Sequence, residues 1–282
     1  MTQRSTDHHL YATRKTKLPE GPEVKLFVDK LNEHYQNQTI KNISVLSGRY
    51  TKKPIPDLKS LVGLKFKSFN CKGKFIWFDL DDKVIFNTLG MTGSWNNLET
   101  KHTRIKITTN DDLILCFNDI RNFGTFHIKS KDELEKKLSS IGPDMLFNPP
   151  SSKDFVNILR KKNNKNICET LMNQNVISGV GNYIKAESLW YSRINPHALI
   201  KNLTDINLVT LRLAIIYVIN KSYQEQGATI KSYYTFSGEE GSASEGFVVY
   251  GRKTDYNGHN VTKDQTPDNR TTHWVKSRQI IG

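Results

Sequence analysis

The chain is poor in cysteine, in acidic residues and in long apolar runs, and each shortage excludes something. Its three cysteines, Cys71, Cys116 and Cys168, are odd in number and lie 45 and 52 residues apart, which makes neither a disulfide framework nor a pair of zinc ligands. A reducing, intracellular compartment is expected. No apolar run approaches the roughly 20 residues of a membrane-spanning helix, and no hydrophobic signal core follows Met1, so neither secretion nor membrane insertion is expected. Aspartate and glutamate number 28 against 41 lysines and arginines, a formal net charge of +13. That imbalance favours a polyanionic partner, because clustered cations release the counterions condensed on a phosphate backbone. With 30 lysines to 11 arginines and much Asn and Ile, an AT-rich genome would produce part of the same excess. What is present is enough for two globular domains: 282 residues, 37% hydrophobic and 10% aromatic, a composition unlike that of disordered chains.

Residues 1–17 carry Arg4, Arg14, Lys15 and Lys17 against Asp7 alone. Without apolar periodicity they read as a disordered basic tail, whether transit peptide, solvated leader or DNA-contacting arm. From Gly21 the spacing of Val24, Phe27, Val28 and Leu31 predicts an amphipathic helix, with Pro22 in its first turn and Glu20 and Glu23 at its positive end. Short β-like runs follow at 64–69, 75–80, 83–86, 104–108, 113–117 and 125–128. Asp81-Asp82 and Asn110-Asp111 join neighbours as hairpins, which predicts an antiparallel sandwich or barrel. Gly142-Pro143 and Asn148-Pro149-Pro150 mark a linker, after which the period turns helical. One helix starts near Ser152, a second spans 167–175, a third 182–191, and Thr204 caps a long fourth. The stretch 247–280, with turn residues such as Asn257-Gly258, reads as a small hairpin appendage. Between the second and third helices, Ser178-Gly179-Val180-Gly181-Asn182 is either an ordinary turn or a set of helix-start amides able to grip a phosphate.

Seven strings stand in a telling order: Pro19-Glu20-Gly21-Pro22-Glu23-Val24, Lys72-Gly73-Lys74, Leu89-Gly90-Met91-Thr92-Gly93, Phe117-Asn118-Asp119-Ile120-Arg121-Asn122-Phe123-Gly124, Gly179-Val180-Gly181-Asn182, Val249-Tyr250-Gly251-Arg252 and Arg270-Thr271-Thr272. Together they resemble the formamidopyrimidine-DNA glycosylase and endonuclease VIII family over nearly everything from residue 18 onward. The Gly21 form of the opening string looks more like the endonuclease VIII branch, whose usual substrates are oxidised pyrimidines. The resemblance implies an α+β fold: an N-terminal antiparallel β-sandwich with a flanking helix (18–147), a C-terminal helical domain with a helix-two-turn-helix (151–236), and a lesion loop with a zincless-finger β-hairpin (237–282). It implies a monomeric, cofactor-free DNA glycosylase and AP lyase of base excision repair, with damaged DNA as its partner.

In the family the damaged nucleotide is flipped out of the duplex. An N-terminal proline amine attacks the sugar C1′, the neighbouring glutamate moves protons, and the resulting Schiff base permits strand cleavage by β- and then δ-elimination. By match of motif, Pro19 is the nucleophile, Glu20 the acid-base group, Lys74 a phosphate contact and proton donor, and Arg270 a phosphate anchor and donor for the second elimination. Met91, Arg121 and Phe123 match the side chains that enter the emptied stack. Asn182 matches the residue that holds the phosphate beside the lesion, and His102 stands where the family has a DNA-contacting histidine, although a plain surface histidine fits as well.

The chain also departs from the pattern. Many members have a four-cysteine zinc finger, whereas Tyr256, His259, Val275 and Arg278 stand near those positions here, and one histidine does not make a tetrahedral site. A metal-free hairpin held by Tyr256, Trp274 and their neighbours is expected. Cys168 replaces a lysine common in the family, and 237–246 matches the lesion-covering loop without a readable base preference. Above all, Leu18 precedes Pro19, so the proline nitrogen is a planar, non-basic amide. Removal of the tail restores the amine, an internal lysine replaces it weakly, or the protein binds lesions without forming a Schiff base. The competing readings are therefore a non-catalytic binder of damaged or abasic DNA and, more remotely, a sequence-tolerant RNA or single-strand binder.

Overall fold

The computed structural model describes residues 19–228 and 243–282. The basic tail expected at 1–17 and most of the lesion loop expected at 237–246 lie outside the described residues; 243–246 form one 3-10 turn.

Helix α1 (Gly21–Tyr35) begins where the Pro-Glu string predicts, with Val24, Phe27, Val28 and Leu31 buried as its inner stripe. The chain then runs through β1 (Ile40–Val45), a helical turn α2 (Arg49–Lys52), β2 (Ser68–Lys72), β3 (Phe75–Asp79), β4 (Lys83–Thr88), β5 (Gly93–Asn96), β6 (Thr103–Thr109), β7 (Ile114–Asp119) and β8 (Thr125–Ser130). These make two antiparallel sheets, ordered β1-β6-β7-β5 and β2-β3-β4-β8. Alternating side chains from both inner faces meet in an aromatic core, where Trp95 lies 5.1 Å from Phe78 and 4.9 Å from Phe117, ring centre to ring centre. The buried indole keeps its hydrogen bond, donating to Asn87 Oδ1 at 3.1 Å, as a polar group in such a core must.

In the first lobe, four elements differ from the sequence expectation. The run 64–69 becomes a strand only at Ser68, because Leu64 and Phe66 pair instead with Ile40, Asn37 and Gln38 after α1. Strands β1 and β5 were not picked out individually; β5 has four residues, opened by a glycine, too few for a period to show. Helix α3 (Lys131–Ser140) was missed because none of its residues is buried. Its start was nonetheless written in the sequence as Ser130 and Glu133, a capping box in which the Glu133 amide donates to Ser130 Oγ at 3.2 Å.

Beyond the linker come α4 (Ser152–Arg160), α5 (Ile167–Met172), α6 (Asn182–Tyr191) and α7 (Asp205–Gln224), around a core that includes Phe155, Ile184, Leu211 and Ile215. Helix α5 stops three residues before expected. The Asn173 side chain accepts the Asn175 amide at 3.0 Å, a local bond that competes with further helix. The hairpin β9 (Thr262–Thr266) and β10 (Arg270–Trp274) closes the chain, with its turn at residues 267–269. Asn257-Gly258 forms a separate small loop, closed by a Thr254–Asn260 bridge. Helix α1 packs on β2 and β3 on one side and α7 on the other, so the element that follows Pro19 ties the two lobes together. Among the described residues, no helix is long and apolar enough to cross a membrane.

Candidate active site

Two pieces of chain meet on the joint between α5 and α6. The Gly21 amide, at the start of α1, donates to the Gly179 carbonyl at 2.9 Å. The β2–β3 turn arrives from the other side. There Gly73 takes a φ of 58°, its amide donates to Asp144 Oδ2 at 2.6 Å, and a Cβ on it would stand 2.6 Å from Ser178 Cβ. Only glycine tolerates both that φ and that proximity. The next residue in the turn is Lys74.

Glu20 is 2% exposed, and its carboxylate accepts the Tyr183 amide at 2.8 Å and the Ile184 amide at 3.2 Å. Those are first-turn donors of α6, which lack partners within the helix and carry the positive end of its dipole. Burial nevertheless dominates and pushes the carboxyl up to about 7, with the Lys74 ammonium opposing the rise and Glu23 adding to it. Lys74 shifts the other way: burial lowers its pKa, Glu20 and Glu23 oppose, and Arg270 and Lys185 reinforce. Gly181 lets the two groups approach, since a Cβ there would lie 2.2 Å from Glu20 Cδ and 2.5 Å from Lys74 Nζ. Buried Pro19 and Lys74 line the same pocket of about 280 Å³, together with Leu89 and Gly90. A carboxyl that titrates near neutrality beside a partly desolvated amine is equipped to move protons.

Arg270 is exposed at the start of β10, close enough for its charge to act on Lys74. Its hairpin is anchored by an ion pair between Lys185 of α6 and Asp268 of the turn, 2.5 Å long with side chains 0% and 3% exposed. Asn182, the first residue of α6, donates from Nδ2 to the Thr271 carbonyl at 3.0 Å, so it sits between Glu20 and Arg270. One turn further along α6, the buried Glu187 carboxylate accepts the amides of Val248, Val249 and Tyr250 at 2.8, 2.9 and 2.7 Å. This fixes the Val249-Tyr250-Gly251-Arg252 string.

Met91, Arg121 and Phe123 come from two adjoining loops. Gly90, at a φ of 61°, would put a Cβ 2.7 Å from the Gly124 amide, and Thr92 Oγ1 accepts the Arg121 amide at 2.9 Å. Arg121 and Phe123 are exposed and Met91 is half-buried, with the Arg121 guanidinium 4.9 Å over the Phe123 ring. His102 is half-buried beside them, its carbonyl accepting the Asp119 amide at 3.0 Å. Burial first, and then Lys101 and Arg104, lowers the imidazole pKa.

Several residues support the site from behind, and of these the sequence points only to Glu23, at the start of α1. Asp119, 1% exposed, accepts from Thr92 Oγ1 at 2.5 Å and from the Gly124 amide at 2.7 Å. Arg104 donates to the Asp119 carbonyl from Nε at 2.8 Å and to the Ile120 carbonyl at 3.2 Å. Glu23 accepts the Glu20 amide at 2.9 Å, the Ala228 amide at 2.8 Å and the Tyr183 hydroxyl at 3.0 Å. Asp119 and Glu23 lie inside the recognised strings, but their roles depend on burial, which no string displays.

The four positions near the family's zinc ligands do not form a donor set. Tyr256 packs on Trp190 at 5.0 Å, Arg278 stacks over the same ring at 5.3 Å, Val275 is buried, and His259 Nδ1 lies 3.1 Å from Asp255. Hydrocarbon, guanidinium and a lone imidazole do not fit a tetrahedral zinc ion. Trp274 is not part of that cluster: it faces His197 at 5.7 Å and donates to Asp264 at 2.9 Å. Cys168 is buried, with its thiol pushed up to about 12 by burial, so it does not stand in for a phosphate-binding lysine.

Comparison with known proteins finds relatives along most of the chain. The sequence profile of the formamidopyrimidine-DNA glycosylase N-terminal domain matches residues 18–126, and that of the formamidopyrimidine-DNA glycosylase H2TH domain matches residues 141–234. The chain is 31% identical over 246 residues to the formamidopyrimidine-DNA glycosylase of Halalkalibacterium halodurans, covering 84% of this chain and 89% of that one. It is 30% identical over 242 residues to the enzyme of the same name from Aliivibrio fischeri, covering 83% and 88%. Lactococcus lactis Fpg in complex with DNA containing an abasic site has a similar fold, with a TM-score of 0.83 at 26% identity over 93% of this chain and 99% of that one. A mutant of the same enzyme with DNA containing Fapy-dG also gives 0.83 at 26%, over 93% and 100%.

Proposed function

The chain belongs to the formamidopyrimidine-DNA glycosylase and endonuclease VIII family, and on that footing we propose that it excises oxidised bases from DNA and nicks the strand as a bifunctional glycosylase and AP lyase. The observation that carries this reading is Glu20: a carboxyl buried on the first-turn amides of α6, titrating near 7, against Lys74 and beside Pro19. A damage-binding surface needs no such acid, whereas proton transfer at a sugar does.

The proposed sequence starts with DNA held across the cleft by Arg270, Lys74 and the N-terminus of α6 at Asn182, each suited to a phosphate. The lesion nucleotide leaves the stack at a cost of a few kcal/mol, and Met91, Arg121 and Phe123 take its place. The Pro19 amine attacks C1′ as the bond from C1′ to the lesion base breaks, the base leaving as an anion that takes a proton from water; Glu20 receives the proton that the amine sheds and returns it to the ring oxygen as the C1′–O4′ bond opens and the iminium forms. The iminium acidifies C2′, and the two eliminations follow, the second assisted by Arg270. The preferred base is proposed to be an oxidised pyrimidine, on the Gly21 form of the opening string. All these groups come from one chain, so the proposed active unit is a monomer, and its hairpin is proposed to be zincless.

Pro19 can do this only once the Leu18–Pro19 bond is cut. A chain beginning at Pro19 is expected to excise the base and nick duplexes carrying an oxidised pyrimidine in single-turnover assays, faster than duplexes carrying an oxidised purine. A chain that binds lesion duplexes but neither excises nor nicks after trimming would establish the binder instead, the reading that the acylated proline favours.

A further inference from the structure

Beside the pocket that Pro19 lines, a groove of about 570 Å³ opens where β3, α3 and the linker between the lobes meet. Its apolar walls are Trp77 of β3, Leu138 of α3, and Ile141, Pro143 and Phe147 of the linker. Phe147 is 51% exposed, and Trp77 and Leu138 are half-buried. An open apolar surface of this kind marks an interaction site.

The groove is continuous with the active-site pocket, because Lys72 and Ile141 line both. The chain itself supplies an occupant. Eighteen residues precede Pro19, and apart from Met1 their apolar side chains stand at Leu10-Tyr11-Ala12 and at Leu18. Leu18 is bonded directly to a residue of the pocket wall. Leu10 lies nine residues before Pro19, a stretch that reaches up to about 30 Å when extended. That is enough to cross the pocket of about 280 Å³ and enter the groove beside it. Arg14, Lys15 and Lys17 lie between the two apolar ends, and their stems can follow apolar surface while their charged heads stay in water.

We propose that residues 10–18 bind along this path, Leu18 over the pocket and Leu10 and Tyr11 in the groove against Trp77, Leu138 and Phe147, so that a chain that keeps them covers its own active site. The docking goes beyond the proposed reaction, and its effect on DNA rests on the lesion-DNA reading of the site. Tethering makes a weak contact sufficient. A short linker holds segment and groove at an effective concentration on the order of millimolar, so the segment occupies the groove even where a free peptide of the same sequence binds only at that concentration. The sugar of a flipped nucleotide needs the space beside Pro19 that Leu18 then fills. DNA therefore selects the undocked molecules, and a chain docked about nine-tenths of the time loses roughly tenfold in apparent affinity. Removing the segment frees the proline amine and clears the pocket in one event.

The test places the photoreactive residue benzoylphenylalanine at position 11 of the whole chain and maps its cross-links by mass spectrometry. In parallel, affinity is measured for a duplex carrying a tetrahydrofuran abasic analogue, which forms no Schiff base. Cross-links within one molecule to peptides carrying Trp77, Leu138 or Phe147 are expected, and they should be lost in Phe147→Asp, a change at an exposed position. The chain beginning at Pro19 should bind the duplex roughly tenfold tighter than the whole chain. Leu10→Ser with Tyr11→Ser in the whole chain should regain most of that difference, which separates release of the groove from the new amine at Pro19. Cross-links to other surfaces, cross-links only between molecules, or none overturn the docking. Equal or tighter duplex binding by the whole chain overturns the covered site and makes the segment a DNA-contacting arm. Binding by neither chain fails the lesion-DNA reading instead, and the cross-link map still decides the docking.

Discussion

Around Glu20 the charged side chains are buried and their oxygens are occupied by backbone amides, whereas around Phe123 the side chains are exposed and only the backbone beneath them is held. In the first region Glu20, Glu23, Lys185 and Glu187 are all at most 4% exposed, and Glu20, Lys185 and Glu187 bond to or project from α6. In the second, Phe123 is 52% exposed, yet its loop hangs on buried Asp119 and Arg104. The contrast matches the two tasks proposed for these residues. Proton transfer needs groups fixed to a fraction of an ångström in a low-dielectric setting, while entering a base stack needs side chains that are free to leave water and a loop that does not yield.

The sharpest way to break the comparison is Glu20→Gln in the chain beginning at Pro19. Excision should fall by roughly 10²–10⁴-fold, with binding of an abasic duplex retained. The same pair of proteins tests the pKa. A carboxyl at about 7 when folded, against the usual carboxylate value when unfolded, binds protons better in the folded state. Its favourable contribution is therefore complete below the unfolded pKa and is lost as pH rises through about 7. Wild-type stability should fall relative to Glu20→Gln between pH 5 and 8, by up to on the order of 3 kcal/mol, measured by thermal melts. An unchanged difference across that range would place Glu20 in water.

Lys185→Met strikes the other buried charge, leaving Asp268 unpaired, and should cost about 3–5 kcal/mol in urea unfolding. Adding Asp268→Leu should restore most of it. Asp119→Ala should cost about 1–3 kcal/mol and weaken lesion-duplex binding as its loop slackens. Phe123→Ala closes the series: stability within about 0.5 kcal/mol of wild type, but duplex affinity lowered by about 1–3 kcal/mol, the usual worth of an aromatic ring stacked on a base. A melting temperature that drops as far for Phe123→Ala as for Asp119→Ala would erase the distinction between the loop and its scaffold.

The sequence displayed what depends on spacing and on local caps. The stripe Val24, Phe27, Val28 and Leu31 gave α1, Thr204 gave the start of α7, and 182–191 gave α6 at both ends. Four-residue β5 was too short to show a period, and α3 has no buried face to repeat. The site was legible as ordered strings, because Pro19, Glu20, Lys74, Asn182 and Arg270 are spread over some 250 residues and share no local pattern. What stayed hidden was the pairing of buried charge: Lys185 and Asp268 lie 83 residues apart, and nothing near either one announces the other. Gly181 was visible as a glycine, but only the fold shows that its missing Cβ is the space in which acid and amine meet.

The proposed chemistry turns on Pro19 and Glu20 acting together at one sugar carbon, and the direct measurement is single-turnover excision by the chain beginning at Pro19, followed from pH 5 to 9 beside Glu20→Gln. A rate limb with an apparent pKa near 7 that disappears in the variant is the predicted result. A variant that keeps the wild-type rate, or the same limb in both proteins, would contradict it.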